Sequence, residues 1–421
     1  MDNISYEIII NNAEGSIDRA TYEGKYKHKP ADSFVSFPIK FNVNINNAYI
    51  CISDSDSPID RVRDFSADEI RDTFRKVYLY HLLHFGKELS VHTITLKING
   101  EETTISENDG VAEFPYMFSM LTIPDTFKLN TFDDELIFKI IETSKTQQYK
   151  RDEYAGLYAF LGGIGKLYVN DRFIYYWTAI NAFYNCISSC YNNKLYSELA
   201  EDPDYTALSE KDQKELRTFL HLGYDEKNMN ALAILYAKDP NVKKIRPTML
   251  KTTSENKRDD ENFIINTMSA WLQNWNNDWD ALLTALKEYT PGSRNENIDK
   301  LKTDLLVKFR CRYMDPYAWM VFQFPYIFRC NSFHGSRAYL AFAGYNEPEL
   351  LMDEAMCYCM GDFLNENIHK LFKDELITDD EYAKLKYMCA NYISIYNLSE
   401  DAQNYLFNKD YVERPRVPQR R

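Results

Sequence analysis

Apolar and polar side chains alternate along several stretches of the first 150 residues. Residues 39–45 have the period of a half-buried strand, and a second apolar run, Ala48–Ile52, follows two asparagines. We therefore expect a β-hairpin there. Residues 94–98 alternate again and lead into Asn99-Gly100, which is a strong two-residue turn signal. The apolar run Leu136–Ile141 is predicted to add one more strand.

A helix is predicted between these strands. Ser66–Glu69 has the form of a capping box, and the apolar spacing behind it suits a helix that ends near Phe85. His81 and His84 lie three residues apart on this helix and could ligate a metal. The sequence offers no clear third ligand, so a packing or surface role is favoured for both. Residues 1–150 are thus predicted to form a mostly antiparallel α/β module.

The pattern changes to a helical period from about residue 165. Arg172–Tyr184 predicts a strongly apolar, aromatic helix, and Trp271, Trp275 and Trp279 recur every four residues. We interpret the tryptophans as one helical stripe in the core rather than a base-stacking platform. A second capping box, Thr378–Glu381, predicts another helix start. The basic tail, residues 411–421, is interpreted as a solvated arm.

Composition narrows the possible functions. The chain has 421 residues with 49 Lys and Arg against 63 Asp and Glu, a net charge of −14. An acidic chain is a poor nucleic-acid coat because phosphate neutralisation needs excess cations, so any such chemistry must occupy a local pocket. The eight cysteines have no framework spacing, which favours reduced thiols in the cytoplasm. No signal peptide is apparent, and the most apolar stretch, Tyr317–Phe328, is too short to span a bilayer.

One segment concentrates residues suited to chemistry. The apolar stretch Tyr317–Phe328 runs directly into R-C-N-S-F-H-G-S-R, which is residues 329–337. A buried arginine or histidine needs partners or a ligand, so this junction is either a structural network or a site. On a straight helix Arg329 and His334 are ~140° apart. They face one point only if the last turn is distorted or if two chains contribute. By contrast, Gly162–Lys166 lacks the spacing of a phosphate loop and is predicted to be a turn.

The segment also carries a family resemblance. Arg329 and His334 form R-x4-H, and the whole run resembles that of HEPN domains, especially the Apea-like and related defence or toxin groups. The aromatic helix around Asn181 is similar to the family's first long helix, and residues 346–372 are similar to its last. The resemblance covers about Leu167–Phe372, with a long helical insertion around residues 190–305.

Two positions depart from the family pattern. Cys330 stands where the family often has Asn or Asp, which puts in doubt a polar contact beside the arginine, although Asn331 could substitute. Ser336 stands where one toxin group has a Tyr that a nucleotidyltransferase antitoxin modifies. The sequence therefore does not support that particular pairing.

The resemblance implies a dimeric helical bundle and a metal-independent endoribonuclease. His334 would act as general base or acid at the ribose 2′-OH or the leaving 5′-oxygen, and Arg329 would donate hydrogen bonds to the phosphate. Asn331, Asn181 and Arg337 are expected to contact the substrate. No metal or cofactor is expected. The implied partners are an RNA substrate, a second copy of the chain, and a phage-derived trigger or an antitoxin.

The sequence as a whole therefore predicts an α+β chain. The α/β module at 1–150 would precede a larger all-α HEPN-like bundle at 151–372, and 373–421 would form a helical extension with a basic tail. The expected function is antiphage or toxin RNA cleavage. The alternative is a non-catalytic HEPN module that binds nucleotide, RNA or protein, which the acidic charge favours slightly.

Overall fold

A computed structural model gives the fold. It describes the backbone of residues 3–9, 20–28, 35–43, 47–53, 68–86, 93–98, 101–105, 123–124, 127–142, 151–223, 225–238, 266–290, 295–309, 315–333, 347–392 and 394–412. Only the backbone is described for the strands and for residues 68–74, 77, 225–226, 308–309, 330–333 and 347–349.

Six strands form one antiparallel sheet. They are β1 (Asn3–Ile9), β2 (Ala20–His28), β3 (Val35–Val43), β4 (Asn47–Ser53), β5 (Thr93–Ile98) and β6 (Glu101–Ile105). Their order across the sheet is β2-β3-β4-β1-β5-β6. The pairing of β3 with β4, with Val43 opposite Ala48, is the hairpin expected from the sequence. β5 pairs with β6 in the same way, and Ile98 lies opposite Glu101. The turn residues Asn99-Gly100 lie outside the described residues.

The helices account for most of the described chain. They are α1 (Asp68–Phe85), α2 (Asp134–Glu142), α3 (Asp152–Ile164), α4 (Val169–Glu201), α5 (Pro203–Thr206), α6 (Glu210–Leu220), α7 (Asp225–Leu235), α8 (Trp279–Lys287), α9 (Glu296–Phe309), α10 (Pro316–Ala318), α11 (Phe324–Phe333), α12 (Glu347–Asn367), α13 (Asp379–Tyr392) and α14 (Glu400–Asn408). Shorter 3-10 turns cover Gln273–Trp275, Ile368–Phe372 and Ile395–Asn397, and Trp319–Gln323 is π-helical. None of the described helices combines the length and the apolar character needed to cross a membrane.

The predicted α+β fold class is wrong. Where side chains are described, the chain is 80% helical and contains no strand, so it is mostly all-α. The residues that form the described core belong to helices or to the turns beside them. The sheet is described by its backbone alone, and no strand supplies a described core side chain. The N-terminal α/β module is therefore not retained as the description of this fold.

The segment Leu136–Ile141 shows why one strand prediction failed. It lies in α2, where Leu136, Ile137, Ile140 and Ile141 are buried. This spacing places all four on one side of a helix, whereas a short apolar run by itself does not distinguish helix from strand. The start is also helical in character, because the Asp133 side chain accepts a hydrogen bond from the Leu136 amide at 2.8 Å.

The chain divides into two compact units. The first contains residues 1–175 and 365–373, and the second contains 176–364 and 374–421. The division falls within α4 and again within α12, so each of these helices supplies residues to both units. The three-part domain division made from the sequence stays a prediction.

The helical core of the first unit is built on aromatic and aliphatic side chains. Tyr154 of α3 donates a hydrogen bond to the Ile140 carbonyl at 3.0 Å, and its ring lies 5.2 Å from the ring of Phe372. Residues 152–164 are helical and include Gly162 and Gly163, so the turn predicted over Gly162–Lys166 begins only at Gly165. His84 Nδ1 lies 2.8 Å from the Asp134 carboxylate. The described residues contain no cluster suited to a metal ion.

The core of the second unit centres on Phe363 of α12. Its ring lies 4.8 Å from Phe322, 4.8 Å from Tyr236 and 5.6 Å from Phe183, in edge-to-face arrangements. Aromatic pairs of this geometry add about 0.5–1.5 kcal/mol each beyond the area that they bury. The aromatic helix predicted around residues 172–184 is confirmed as part of α4.

The predicted tryptophan stripe is wrong. Trp271 is buried, but the helix of residues 266–272 passes into the 3-10 turn Gln273–Trp275. Asn276 and Asn277 then adopt positive φ angles, and Asp278 caps a new helix by accepting from the Ala281 amide. Asparagine tolerates the left-handed region better than other non-glycine residues. Two asparagines followed by a capping aspartate therefore interrupt a spacing that looked continuous.

Candidate functional site

The predicted site lies at the end of a buried helical segment. Asp315 starts this segment by accepting a hydrogen bond from the Ala318 amide at 2.8 Å, and Pro316 occupies the first helical turn. The five residues Trp319–Gln323 are all buried and form a π-helical turn. A π-helical turn holds one residue more than an α-helical turn and occurs frequently at functional sites. It passes directly into α11.

Arg329 lies where burial along this segment ends. Phe324 is 1% exposed, whereas residues 326–329 are half-buried. Arg329 is therefore a partly buried residue in the first stretch of this segment where burial is incomplete. Asn331 lies on the same helix, with its backbone alone described. His334 and Arg337 lie outside the described residues, so the geometry of the predicted site is described for Arg329 and Asn181 alone.

Helices α4 and α11 run antiparallel where they pack. The rings of Trp177 and Tyr326 lie 6.3 Å apart. Six residues further along α4, Phe183 contacts Phe363. Phe322, which lies in the π-helical turn four residues before Tyr326, contacts the same ring. Contacts at increasing residue numbers on α4 are therefore made by decreasing residue numbers on the segment that contains α11.

This arrangement separates two of the predicted site residues. Asn181 follows Trp177 by one turn and so lies toward Phe322, whereas Arg329 lies one turn beyond Tyr326 in the opposite direction. At 1.5 Å of rise per residue the two are offset by about 10 Å along the helix axes. Asn181 is half-buried, and its Oδ1 has no hydrogen-bond partner in the described part of the chain. Along the helix axes Asn181 is thus about two turns away from Arg329.

The structure brings together a second group of polar and charged side chains that the sequence analysis did not predict. Tyr196 of α4 and His221, the residue after α6, share a hydrogen bond of 2.6 Å between the phenol oxygen and Nδ1. Arg217, one turn before His221, places its guanidinium carbon 3.8 Å from the centre of the Tyr196 ring. We call these three residues the Arg–Tyr–His cluster. The spacing R-x3-H, one turn of a helix, was the available signal.

The backbone on both sides of His221 is fixed to α4. The buried Asn192 side chain donates to the Leu222 carbonyl at 2.6 Å and accepts from the Leu222 amide at 3.0 Å. The Tyr191 phenol donates to the Leu220 carbonyl at 3.2 Å. The chain before and after the imidazole is therefore held by side chains of one helix.

A buried lysine completes this support. Lys227 is 3% exposed, and its ammonium donates to the carbonyls of Phe219 and His221 at 2.8 and 2.5 Å. Positive charge at this position satisfies carbonyls at the C-terminus of α6. Burial lowers the pKa of Lys227 from its ordinary value. The pKa of His221 is lowered too, by burial first and then by the nearby charges of Lys227 and Arg217. The lowered pKa favours the neutral imidazole, which has one donor and one acceptor nitrogen.

Comparison with known proteins adds no relative. No family model, no curated protein and no solved structure matches this chain. The HEPN resemblance therefore stands on the residues quoted above and stays a prediction.

Proposed function

We propose that the protein is a metal-independent endoribonuclease of the HEPN type, acting in the cytoplasm as an antiphage-defence or toxin effector. Arg329 and His334 carry the reaction in this proposal. The observation that supports it most is the position of Arg329, half-buried at the end of a helical segment whose preceding turns are buried. A guanidinium held in this way can present a fixed fork of donors to a phosphate.

The proposed reaction needs no metal. His334 takes the proton from the ribose 2′-OH, or gives a proton to the leaving 5′-oxygen, while the 2′-oxygen attacks phosphorus and the P–O5′ bond breaks. Arg329 stabilises the negative charge that develops on the phosphate oxygens. The products are a 2′,3′-cyclic phosphate and a 5′-OH. Asn331 and Arg337 are the proposed contacts to neighbouring parts of the RNA.

A homodimer is part of the proposal. Residues 329–333 are α-helical, and continuing this helix by one residue would leave Arg329 and His334 about 140° apart within one chain. Two-fold symmetry would bring two R-x4-H segments to one cleft, where an arginine of one copy could serve a histidine of the other. Asn181 is included as a polar residue that contacts RNA. A phage-derived molecule or an antitoxin is the proposed regulator.

The deciding experiment is RNA cleavage with and without EDTA. Wild type and His334→Ala are compared on mixed RNAs, with the products analysed for 2′,3′-cyclic phosphate. We expect cleavage by wild type in EDTA and a loss of about 10²-fold or more in the variant. His84→Gln is the matched control, because it also removes an imidazole but lies on α1, where His84 hydrogen-bonds Asp134.

Equal cleavage by wild type and His334→Ala, or cleavage that EDTA abolishes, would rule out this chemistry. If neither protein cleaves, phage infection and expression toxicity are tested next in cells with the same pair of variants. Binding of RNA that requires Arg329 but leads to no cleavage or toxicity would favour the alternative, a non-catalytic HEPN binding module.

A further inference from the structure

The Arg–Tyr–His cluster has the geometry of a prepared site. The ring planes of Tyr196 and His221 differ by 3°, and their centroids are 6.1 Å apart. With a hydrogen bond of 2.6 Å joining the phenol to Nδ1, this spacing matches two rings joined edge to edge. The two ring planes are therefore nearly parallel, and Arg217 lies over the face of the phenol ring.

The donors of Arg217 are not used by the described residues. The side chain is exposed, and within the described part of the chain it makes no ion pair or hydrogen bond from its guanidinium. The acidic residue two positions earlier, Glu215, instead lies 3.8 Å from Lys211 and accepts from the Ser399 amide at 3.4 Å. The contact with the Tyr196 ring holds the guanidinium carbon 3.8 Å from the ring centre and uses none of its N–H donors, which leaves them to a ligand.

The second ring nitrogen of His221 is likewise available. Nε2 has no hydrogen-bond partner among the described residues. It faces Gly223, where an added Cβ would come within 2.4 Å of Nε2, so a side chain at 223 would displace the imidazole. The support from Asn192 and Lys227 described above fixes the backbone that carries this ring.

We propose that the Arg–Tyr–His cluster binds a phosphate group, with Arg217 and His221 Nε2 as the donors. Three observations favour an anion over a neutral ligand or a cation. Arg217 carries a full positive charge with unused donors. The Lys227 ammonium lies 2.5 Å from the backbone carbonyl of His221 and supplies a second positive charge close to the cluster. Among the described residues, no carboxylate is hydrogen-bonded to any of the three cluster side chains.

A phosphate is the anion that this geometry fits best. Its oxygens can accept two parallel bonds from the guanidinium edge and a third from an imidazole N–H. A free nucleotide and a strand of RNA both present this group, and the experiment below distinguishes the two sources. The site does not include Arg329 or His334. The phosphate-binding proposal can therefore be confirmed or refuted independently of the proposed ribonuclease activity.

The test follows the carbon-bound proton resonances of the histidines by NMR in phosphate-free buffer. The chain has seven histidines, and His221→Gln assigns the resonance of interest. Inorganic phosphate, AMP and a single-stranded RNA decamer are titrated separately into wild type, Arg217→Ala and Lys214→Ala. Lys214 is the matched control, since it is exposed on the same helix three residues earlier and its removal changes the net charge equally.

We expect at least one phosphate ligand to shift the His221 resonance saturably. Arg217→Ala should weaken that binding by about tenfold or more, because a charge-assisted bidentate contact is lost, while Lys214→Ala should leave it within about twofold. A response to all three ligands, or to AMP and phosphate alone, indicates a small phosphate compound as the source, and a response to the decamer alone indicates RNA. His334→Ala must bind like wild type.

Several results would overturn the proposal. They are no shift of the His221 resonance with any of the three ligands, unchanged affinity in Arg217→Ala, and equal weakening in Arg217→Ala and Lys214→Ala. The last result would indicate general charge attraction and no defined site. Thermal unfolding of each variant is recorded first, so that a loss of binding is interpreted only for folded protein.

Discussion

The second unit contains two groups of residues with an arginine and a histidine, one at the end of α11 and the other in the Arg–Tyr–His cluster. They differ in how the fold brings their members together. At α11 the chemistry is contiguous in sequence, since Arg329 is followed within five residues by Asn331 and His334. In the cluster, Tyr196 and His221 are 25 residues apart and meet because other side chains fix the backbone between α6 and α7. The first site is conspicuous in sequence and depends on the course of one short segment. The second is invisible in sequence and depends on tertiary support.

The largest expected difference is kinetic. If Arg329 stabilises the transition state, Arg329→Ala should lower kcat for RNA cleavage by about 10²–10³-fold. Arg217→Ala should instead raise KM, if RNA occupies the cluster, and leave kcat unaltered, because its contact is the same in ground and transition states. Steady-state kinetics on one RNA substrate separate the two effects. A fall in kcat with Arg217→Ala equal to that with Arg329→Ala would remove the distinction.

Removing the backbone support of the cluster should have the next largest effect. Asn192→Ala leaves the amide and carbonyl of Leu222 without their side-chain partners in a buried position. We expect a loss of about 3 kcal/mol in the free energy of unfolding, measured by urea denaturation. The neighbour Asn193 is exposed, so Asn193→Ala should change stability by less than about 0.5 kcal/mol. Similar losses in both variants would contradict the role given to Asn192.

A smaller effect is expected at the carboxylate of Glu198, also on α4. It accepts hydrogen bonds from Lys386, Tyr382 and Tyr411 at 2.6–2.8 Å. Burial alone would raise the pKa of Glu198, but these three donors lower it overall. Tyr411→Phe removes one of them and should cost about 1 kcal/mol of stability. Tyr396→Phe is the control, because Tyr396 is 65% exposed, and an equal cost there would argue against the network.

The smallest expected effect is a pH dependence at His221. Its pKa is lowered in the folded protein, so below about 6.5 the unfolded chain binds more protons at this site than the folded one. Stability that wild type has at pH 7.5 is therefore lost as pH falls through 6.5 toward the folded pKa. His221→Gln lacks this loss. Urea denaturation at pH 7.5, 6.5 and 5.5 should show that the free energy of unfolding of wild type, minus that of the variant, becomes smaller as the pH is lowered. A difference that stays constant or grows as the pH is lowered would refute the assignment.

Local signals in the sequence predicted local structure well. The capping box at Thr378 is confirmed, because its hydroxyl accepts from the Glu381 amide at 3.3 Å and the Glu381 carboxylate accepts from the Thr378 amide at 2.8 Å. The helix predicted to end near Phe85 does end there. Tyr382, Leu385 and Cys389 are buried as expected from one side of α13. Ile393, the fourth member of that prediction, lies outside the described residues.

The failures share a physical cause. The Leu136–Ile141 strand and the tryptophan stripe were inferred from the period of apolar residues, which is ambiguous over six residues and insensitive to a break between turns. The fold class was wrong because helices form the described core, whereas the strands predicted from alternation in the first hundred residues supply no described core side chain. The Arg–Tyr–His cluster depends on Asn192 reaching Leu222, a contact across 30 residues that no local pattern encodes. For the predicted site, the family resemblance supplied the identities of the residues but not their positions relative to one another. Among those residues, the structure describes the side chains of Arg329 and Asn181 only.

The direction in which Arg329 projects from its helix depends on the number of residues in the π-helical turn Trp319–Gln323. One residue advances an α-helix by about 100°, so every position after the turn is rotated by that amount relative to an uninterrupted helix. Deleting a single residue from this buried turn would restore the regular helix and rotate Arg329 to a different side, with every functional side chain still present. An insertion or deletion here therefore redirects Arg329 in a way that residue-by-residue substitution would never sample.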